Sequence, residues 1–235
     1  MTEDRRQYLT VPKLTEIPWL VHGFGDAGWS EADFLAFAAS RGLKPVIMRQ
    51  LHSDIVHRLD APPAEGLEGD ALMTDIAGLL LVIRTADCLP VFLVDTKNRA
   101  VAAVHCGWRG TEKRILEKAV RAMAEAYGSK PLETLAAMGP CIGGSCYEVG
   151  PEVRDSFLGA GFPPSALAES PGRPGKSLLD LRSANLYLLE ISGVKKTNIH
   201  DPGLACTHCA PSLLSYRRDP GESRRMYNFI GLAAG

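Results

Sequence analysis

Three apolar runs, at residues 79–84, 91–95 and 100–105, follow one another with only short breaks between them. They are too short for helices and have the length of buried strands, which commits the middle of the chain to a sheet. The breaks carry unusual chemistry. Thr85-Ala86-Asp87-Cys88-Leu89-Pro90 joins the first two runs, and the third ends in His105-Cys106-Gly107-Trp108-Arg109-Gly110. An earlier segment, Arg49-Gln50-Leu51-His52-Ser53, adds a second histidine.

Around this centre, strand-like and helix-like segments alternate. Residues 46–51 and 55–59 read as a strand pair around a turn at Ser53-Asp54. Thr111 is placed to cap a helix in which Ile115, Leu116, Ala119, Val120, Met123 and Tyr127 recur at helical spacing until Gly128 stops it. Residues 134–138 form another strand-like run, Pro151 opens a short helix ending near Leu158, and 159–176 have the composition of a long loop. Asp180 caps a second amphipathic helix through Ala184, Leu188 and Ile191 to Gly193, and strands are expected at 196–199, 213–217 and 226–232. The order predicts a mixed α/β or α+β fold. No Gly/Ser-rich or Pro-rich linker divides the 235 residues, so one domain over 1–235 is expected.

A formal charge of −1 with mixed signs throughout leaves no basic stripe, which argues against a nucleic-acid partner. No apolar run approaches the roughly 20 residues of a membrane span, and the polar start Met1-Thr2-Glu3-Asp4-Arg5-Arg6 leads into no signal-peptide core. Six cysteines without such a signal point to reduced thiols or metal ligands and to the cytoplasm.

Two chemistries can use His52, Cys88 and His105. As metal ligands they hold Zn²⁺ and leave a fourth position open, which makes water acidic enough to react at neutral pH. Without metal, Cys88 is a nucleophile deprotonated by His105 or His52, giving a hydrolase or acyltransferase. Two histidines around one cysteine favour the metal. Cys106 points away if the strand continues through it. Cys206-Thr207-His208-Cys209 has the gap of a zinc knuckle, for which Cys141 and Cys146 are possible completing ligands. Arg109, at a helix start, suits an anion such as phosphate, and Tyr147, beyond the Gly139–Gly144 turn, suits a ring and a hydroxyl. Gln50 and Asp70 join Arg109 and Tyr147 as candidate substrate contacts, and Asp70, Asp75 and Asp87 are candidates for moving protons.

Taken in order, Gln50-Leu51-His52, Gly69-Asp70-Ala71-Leu72-Met73-Thr74-Asp75, the Asp87-Cys88 and His105–Gly110 turns, Gly139-Pro140-Cys141-Ile142, Cys146-Tyr147-Glu148-Val149-Gly150, Asp180-Leu181, Cys206-Thr207 and Ser215-Tyr216-Arg217-Arg218-Asp219 resemble the laccase-domain, or YfiH, family. That resemblance implies a layered α/β/β/α sandwich related to bacterial cysteine-dependent deamidating toxins. It also implies zinc at His52, Cys88 and His105. The implied chemistry is phosphorolysis of adenosine, inosine, guanosine and methylthioadenosine, together with adenosine deamination. Purine nucleosides and phosphate are then the partners. A metal-free cysteine amidase acting on a peptidoglycan precursor is the alternative, and a zinc-stabilised binding protein the third.

Members were also described as multicopper polyphenol oxidases, but six histidines cannot supply the type 1 site and a trinuclear cluster together. Copper can still compete for a His₂Cys site, since Cu²⁺ outranks Zn²⁺ in intrinsic affinity. The chain departs from the family in having Cys106 where Ala is usual, Glu222-Ser223-Arg224-Arg225 where Thr-Gly-Arg is typical, and His208 between Cys206 and Cys209.

Overall fold

The computed structural model describes residues 8–63, 66–200 and 206–234. The chain opens with β1 (Tyr8–Leu9), α1 (Pro12–Thr15), β2 (Leu20–Gly25) and α2 (Glu31–Ser40). Next come β3 (Lys44–Ile47), β4 (Val56–Arg58), β5 (Ala71–Thr74), β6 (Leu79–Thr85), β7 (Leu89–Asp95) and β8 (Ala100–Cys106). Two helices, α3 (Trp108–Glu112) and α4 (Ile115–Tyr127), precede β9 (Leu135–Met138), β10 (Glu148–Val149) and α5 (Pro151–Gly159). The remainder is β11 (Leu167–Glu169), β12 (Ser177–Leu179), α6 (Leu181–Ile191), β13 (Ile199–His200) and β14 (Met226–Leu232).

Two sheets hold the molecule together. One has the order β1-β2-β14-β6-β3 and the other β13-β9-β7-β8-β5-β4. Alternation along β7 shows why they stack: Phe92 and Val94 join Phe24, Leu81, Ile83 and Ala103 between the sheets, while Leu89, Val91 and Leu93 face the opposite way. Phe24 and Phe92 meet across the interface as parallel rings 4.5 Å apart. On the outer faces, α2 places Phe34 against Leu80, Val82 and Phe229, and α4 and α6 place Ile115, Ala119 and Leu188 against β7 and β8. The result is the α/β/β/α layering of a mixed α+β fold. Among the described residues no helix is long and apolar enough to cross a membrane.

Several expectations need correction. The segments at 46–51 and 55–59 do not pair: β3 lies parallel to β6 in the first sheet and β4 parallel to β5 in the second, so the loop between them crosses from sheet to sheet. The helix expected from Thr111 breaks at Arg114, whose φ of 64° lets α4 begin only at Ile115. Thr111 is buried inside α3, where its hydroxyl accepts from Asn185 Nδ2 at 3.0 Å. The long loop at 159–176 carries β11, which pairs with β12. Residues 196–199 are mostly a 3₁₀ turn before β13.

Residues 213–217 are turns and not a strand. Their neighbourhood is ordered by the Arg218 guanidinium, which donates to the carbonyls of Thr207, Ala210 and Leu213 and so replaces a neighbouring strand. Asp180 does cap α6, accepting from Ser183 N at 3.0 Å. Pro151 does open α5, and Gly128 ends α4 at φ 68°.

Candidate active site

Strand register brings the three sequence-predicted ligands together. In the β7–β8 pair, Pro90 lies opposite His105, so Cys88, just before β7, stands beside the end of β8. The same alternation that sends Cys106 into the helix-side core turns His105 towards the space between the sheets. His52 comes from the β3–β4 crossing. The ligand atoms of His52, Cys88 and His105 all lie within 4.8 Å of one another, with Cys88 Sγ 3.9 Å from His52 Nε2. Their exposure is graded: His52 is exposed, Cys88 half-buried and His105 buried.

Asp70 is the residue that assembles the set. It directly precedes β5, whose Ala71 pairs with Val104, and the Asp70 carbonyl accepts from His105 N at 2.8 Å. Its carboxylate accepts from His105 Nδ1 at 2.8 Å, leaving Nε2 to face the cluster. The backbone amides of Leu51, His52 and Ser53 and the Ser53 hydroxyl also donate to it, at 3.1, 3.0, 2.6 and 2.6 Å. These bonds hold His52 at φ 57°, a left-handed backbone uncommon outside glycine.

Asp87 does comparable work on the other side. Its own φ is 96°, and its carboxylate accepts from the Thr207 hydroxyl at 2.6 Å and from Arg217 N at 2.7 Å. Gly107 keeps the centre open. A Cβ there would stand 2.9 Å from His52 Cδ2 and 3.1 Å from Cys88 Sγ.

Burial alone would keep the Cys88 thiol protonated and His105 neutral. The charge each lends the other, with the Asp70 hydrogen bond to His105, outweighs burial, so the thiol is pulled down and the imidazole up. A thiolate between two imidazoles is the donor set that Zn²⁺ takes, and three protein ligands leave a position free. The residues present therefore fit a resident metal ion.

A cleft of about 740 Å³ opens in front of this set. Trp108, Tyr147 and Tyr216 give it aromatic walls, and Arg49, Arg84, Arg217 and Arg225 line it with guanidinium groups. Asp87 is the one carboxylate among its lining residues. Arg217 stands 5.0 Å over the Tyr147 ring, and the Arg84 Nε is buried without a protein partner.

Of the expected substrate contacts, Tyr147 lines the cleft, with its hydroxyl pKa raised, chiefly by burial. Gln50 also lines it, though its amide pairs in both directions with the Arg84 main chain, at 2.9 and 2.8 Å. Asp70 does not reach the cleft: it is fully buried beneath the ligands, a positioning residue in place of the expected substrate contact. Arg109 is exposed outside the lining, its guanidinium 4.3 Å from the Trp108 ring centre, because in α3 it is Trp108 that turns inward. Asp75 is exposed at the far end of β5, away from any proton transfer here.

Sequence reasoning missed Arg49, Arg84, Trp108, Tyr216, Arg217 and Arg225 as cleft residues. A signal existed for Arg84, which shares one end of β6 with the Asp87-Cys88 turn. None existed for Arg225, which the fold brings in from just before β14.

A family profile described as multi-copper polyphenol oxidoreductase laccase matches residues 31–233. This chain belongs to that laccase-domain, YfiH-type family. It is 40% identical over 185 residues to a purine nucleoside phosphorylase of Deinococcus radiodurans, covering 79% of this chain and 69% of that protein. It is 39% identical over 195 residues to the adenosine deaminase RL5 of an unknown prokaryotic organism, covering 79% and 74%. The structure of Bacillus licheniformis YfiH superposes with a TM-score of 0.88 at 27% identity, covering 97% of each chain. These relatives are enzymes of nucleoside chemistry, which supports an enzyme here and does not favour a metal-free amidase.

The copper in the family's description finds no cluster here. His22 accepts from Val11 N, His57 pairs with the Glu68 carbonyl, His200 lies in β13 and His208 stands among other cysteines, which leaves two of the six histidines at the site.

Proposed function

We propose that this YfiH-family chain is a zinc-dependent purine nucleoside phosphorylase, acting on adenosine, inosine, guanosine and methylthioadenosine. The observation that carries the reading is the pairing of an open His₂Cys donor set with a guanidinium-lined, aromatic-walled cleft of about 740 Å³, a size suited to a nucleoside and an anion. When bound by His52, Cys88 and His105, the ion supplies Lewis acidity at the cleft floor.

The chain's own residues account for the rest of phosphorolysis. Arg84, Arg217 and Arg225 hold phosphate, since guanidinium groups match its oxygens bidentately and do not lose their charge. The flat base lies against Trp108 and Tyr147, contacts shared by all four nucleosides and therefore tolerant among them. As the C1′–N9 bond breaks and a phosphate oxygen bonds to C1′, the departing base needs a proton. The attacking dihydrogen phosphate supplies it, and Tyr147, kept neutral by burial, hydrogen-bonds the base as a donor.

Similarity to RL5 favours adenosine deamination as a second activity of the same cleft. The test is to incubate inosine and adenosine with and without phosphate, reading free base, ribose 1-phosphate and ammonia, with metal analysis in parallel. Base release that requires phosphate and disappears in Cys88→Ser, together with about one equivalent of zinc, is expected. Phosphate-independent cleavage, or full activity in metal-free protein, overturns the reading.

A further inference from the structure

Three soft donors gather away from the cleft floor, with a fourth beside them. Cys146 ends the turn before β10, and Cys206 to Cys209 form a tight turn in which Cys209 N and Ala210 N donate to the Cys206 carbonyl at 3.1 and 2.9 Å. The ligand atoms of Cys146, His208 and Cys209 lie within 4.8 Å of one another. Cys206 borders the group without belonging to it, and its thiol accepts from Gly143 N at 3.0 Å. The expected participation of Cys141 is not seen. Its side chain is buried in the helix-side core with Arg182 Nη2 3.7 Å from its sulfur, and His208 takes the fourth place.

We propose that Cys146, His208 and Cys209 bind a second zinc ion, drawing in the adjacent Cys206 thiol as the fourth ligand of a closed tetrahedral site. Cys146 Sγ and Cys209 Sγ are 3.4 Å apart. A disulfide requires about 2.05 Å, whereas two thiolates on one tetrahedral zinc stand roughly 3.8 Å apart, as zinc–sulfur bonds of about 2.3 Å dictate. The observed spacing lies close to the second figure. An amide donating to the sulfur, as Gly143 does to Cys206, stabilises thiolate in a metal turn as it stabilises any anion.

With four protein donors no position stays open, so this ion is structural where the one at His52, Cys88 and His105 is available for catalysis. It also meets a local need. Residues 206–219 lack helix and strand, and the apolar cluster beneath them contains only Leu213, Leu214 and Met226 as buried members. A cross-link there ties the turn bearing Tyr147 to the segment bearing Thr207 and Arg217, which otherwise depends on hydrogen bonds.

The test is zinc content of protein purified under reducing conditions, in wild type, Cys88→Ser, the double variant Cys146→Ser/Cys209→Ser, and the combination of all three substitutions. About two, one, one and zero equivalents are expected. In the Cys88→Ser background, cobalt(II) loading should give thiolate-to-metal charge-transfer absorption that a further Cys209→Ser removes. Cys209 is exposed, so this change spares the core. Zinc content unaltered by the double substitution in a folded protein overturns the proposal. So does a Cys146–Cys209 disulfide with no second metal, or cobalt absorption that persists without Cys209. Because the readout uses Cys88→Ser protein, it stands whether or not nucleosides are turned over.

Discussion

Asp70 accepts hydrogen bonds from three successive backbone amides, a hydroxyl and an imidazole, all within 35 residues of it in sequence, and has no exposed surface. Asp87 accepts from a hydroxyl and an amide that lie 120 and 130 residues away, and keeps 9% of its surface open to the cleft. Each holds a residue in the left-handed region, His52 in the first case and Asp87 itself in the second. The first carboxylate ties the proposed metal ligands to the ends of β5 and β8, where register fixes positions closely. The second fastens the wall proposed to hold the anion, an irregular segment with little core of its own. The proposed ligand set thus rests on the rigid part of the molecule and the proposed anion site on the adaptable part.

The largest effect should follow from removing Asp70. Asp70→Ala leaves His105 Nδ1 buried without an acceptor and removes the acceptor of the amides of residues 51–53, at about 3–5 kcal/mol of stability. Chemical denaturation should show that loss, and elemental analysis a loss of metal from His52, Cys88 and His105. Retention of that metal would show that Asp70 does not position the ligands.

The same residue predicts an acid dependence. Burial alone would raise the Asp70 pKa, but hydrogen bonds from His105 and Ser53 and the His105 charge hold it well below the usual carboxylate range. The unfolded chain therefore takes up a proton first, near pH 3.9. Stability from Asp70 is complete above that value and is lost as pH falls through and below it. Asp70→Asn should be less stable at neutral pH and show a shallower decline below about pH 4, read by denaturation at stepped pH.

A smaller and different effect is expected for Asp87→Asn. Asparagine tolerates positive φ and retains one acceptor oxygen, so either Thr207 or Arg217 loses its partner, at roughly 1–3 kcal/mol. The decisive readout is the split between metal and substrate. Zinc content should stay at the wild-type level while KM for phosphate rises about tenfold, the equivalent of roughly 1.4 kcal/mol of anion binding. An unchanged phosphate KM would detach Asp87 from the anion wall.

Legibility in the sequence divides along the same line. His52, Cys88 and His105 could be read because apolar runs announce strands and strand ends announce where side chains converge. The layers followed from the family resemblance, and β6, β7, β8, α5, α6 and β14 from periodicity and caps. Asp70 could be seen but its task could not, since nothing in Gly69-Asp70-Ala71 says that the carboxylate turns inward under a loop 17 residues earlier. The segment at 213–217 misled because Leu213, Leu214 and Tyr216 suggest a strand, while the bonds that order its neighbourhood come from one arginine side chain. The first forty residues gave no reading: β2 and α2 are made by packing Phe24 and Phe34 against strands far along the chain.

The finest division of the two walls is at Ser53. Its hydroxyl and its amide both reach Asp70 Oδ2 at 2.6 Å, so Ser53→Ala removes one donor and leaves the other in place. Thr207 has no such reserve, since its amide donates to the Cys141 carbonyl and its hydroxyl is its bond to Asp87. Ser53→Ala should cost about 0.5–1.5 kcal/mol by denaturation and leave both zinc content and phosphate KM unchanged. A loss of metal in this variant would mean that the first wall lacks redundancy, and that its rigidity comes from the hydroxyl rather than from the strands on which it is built.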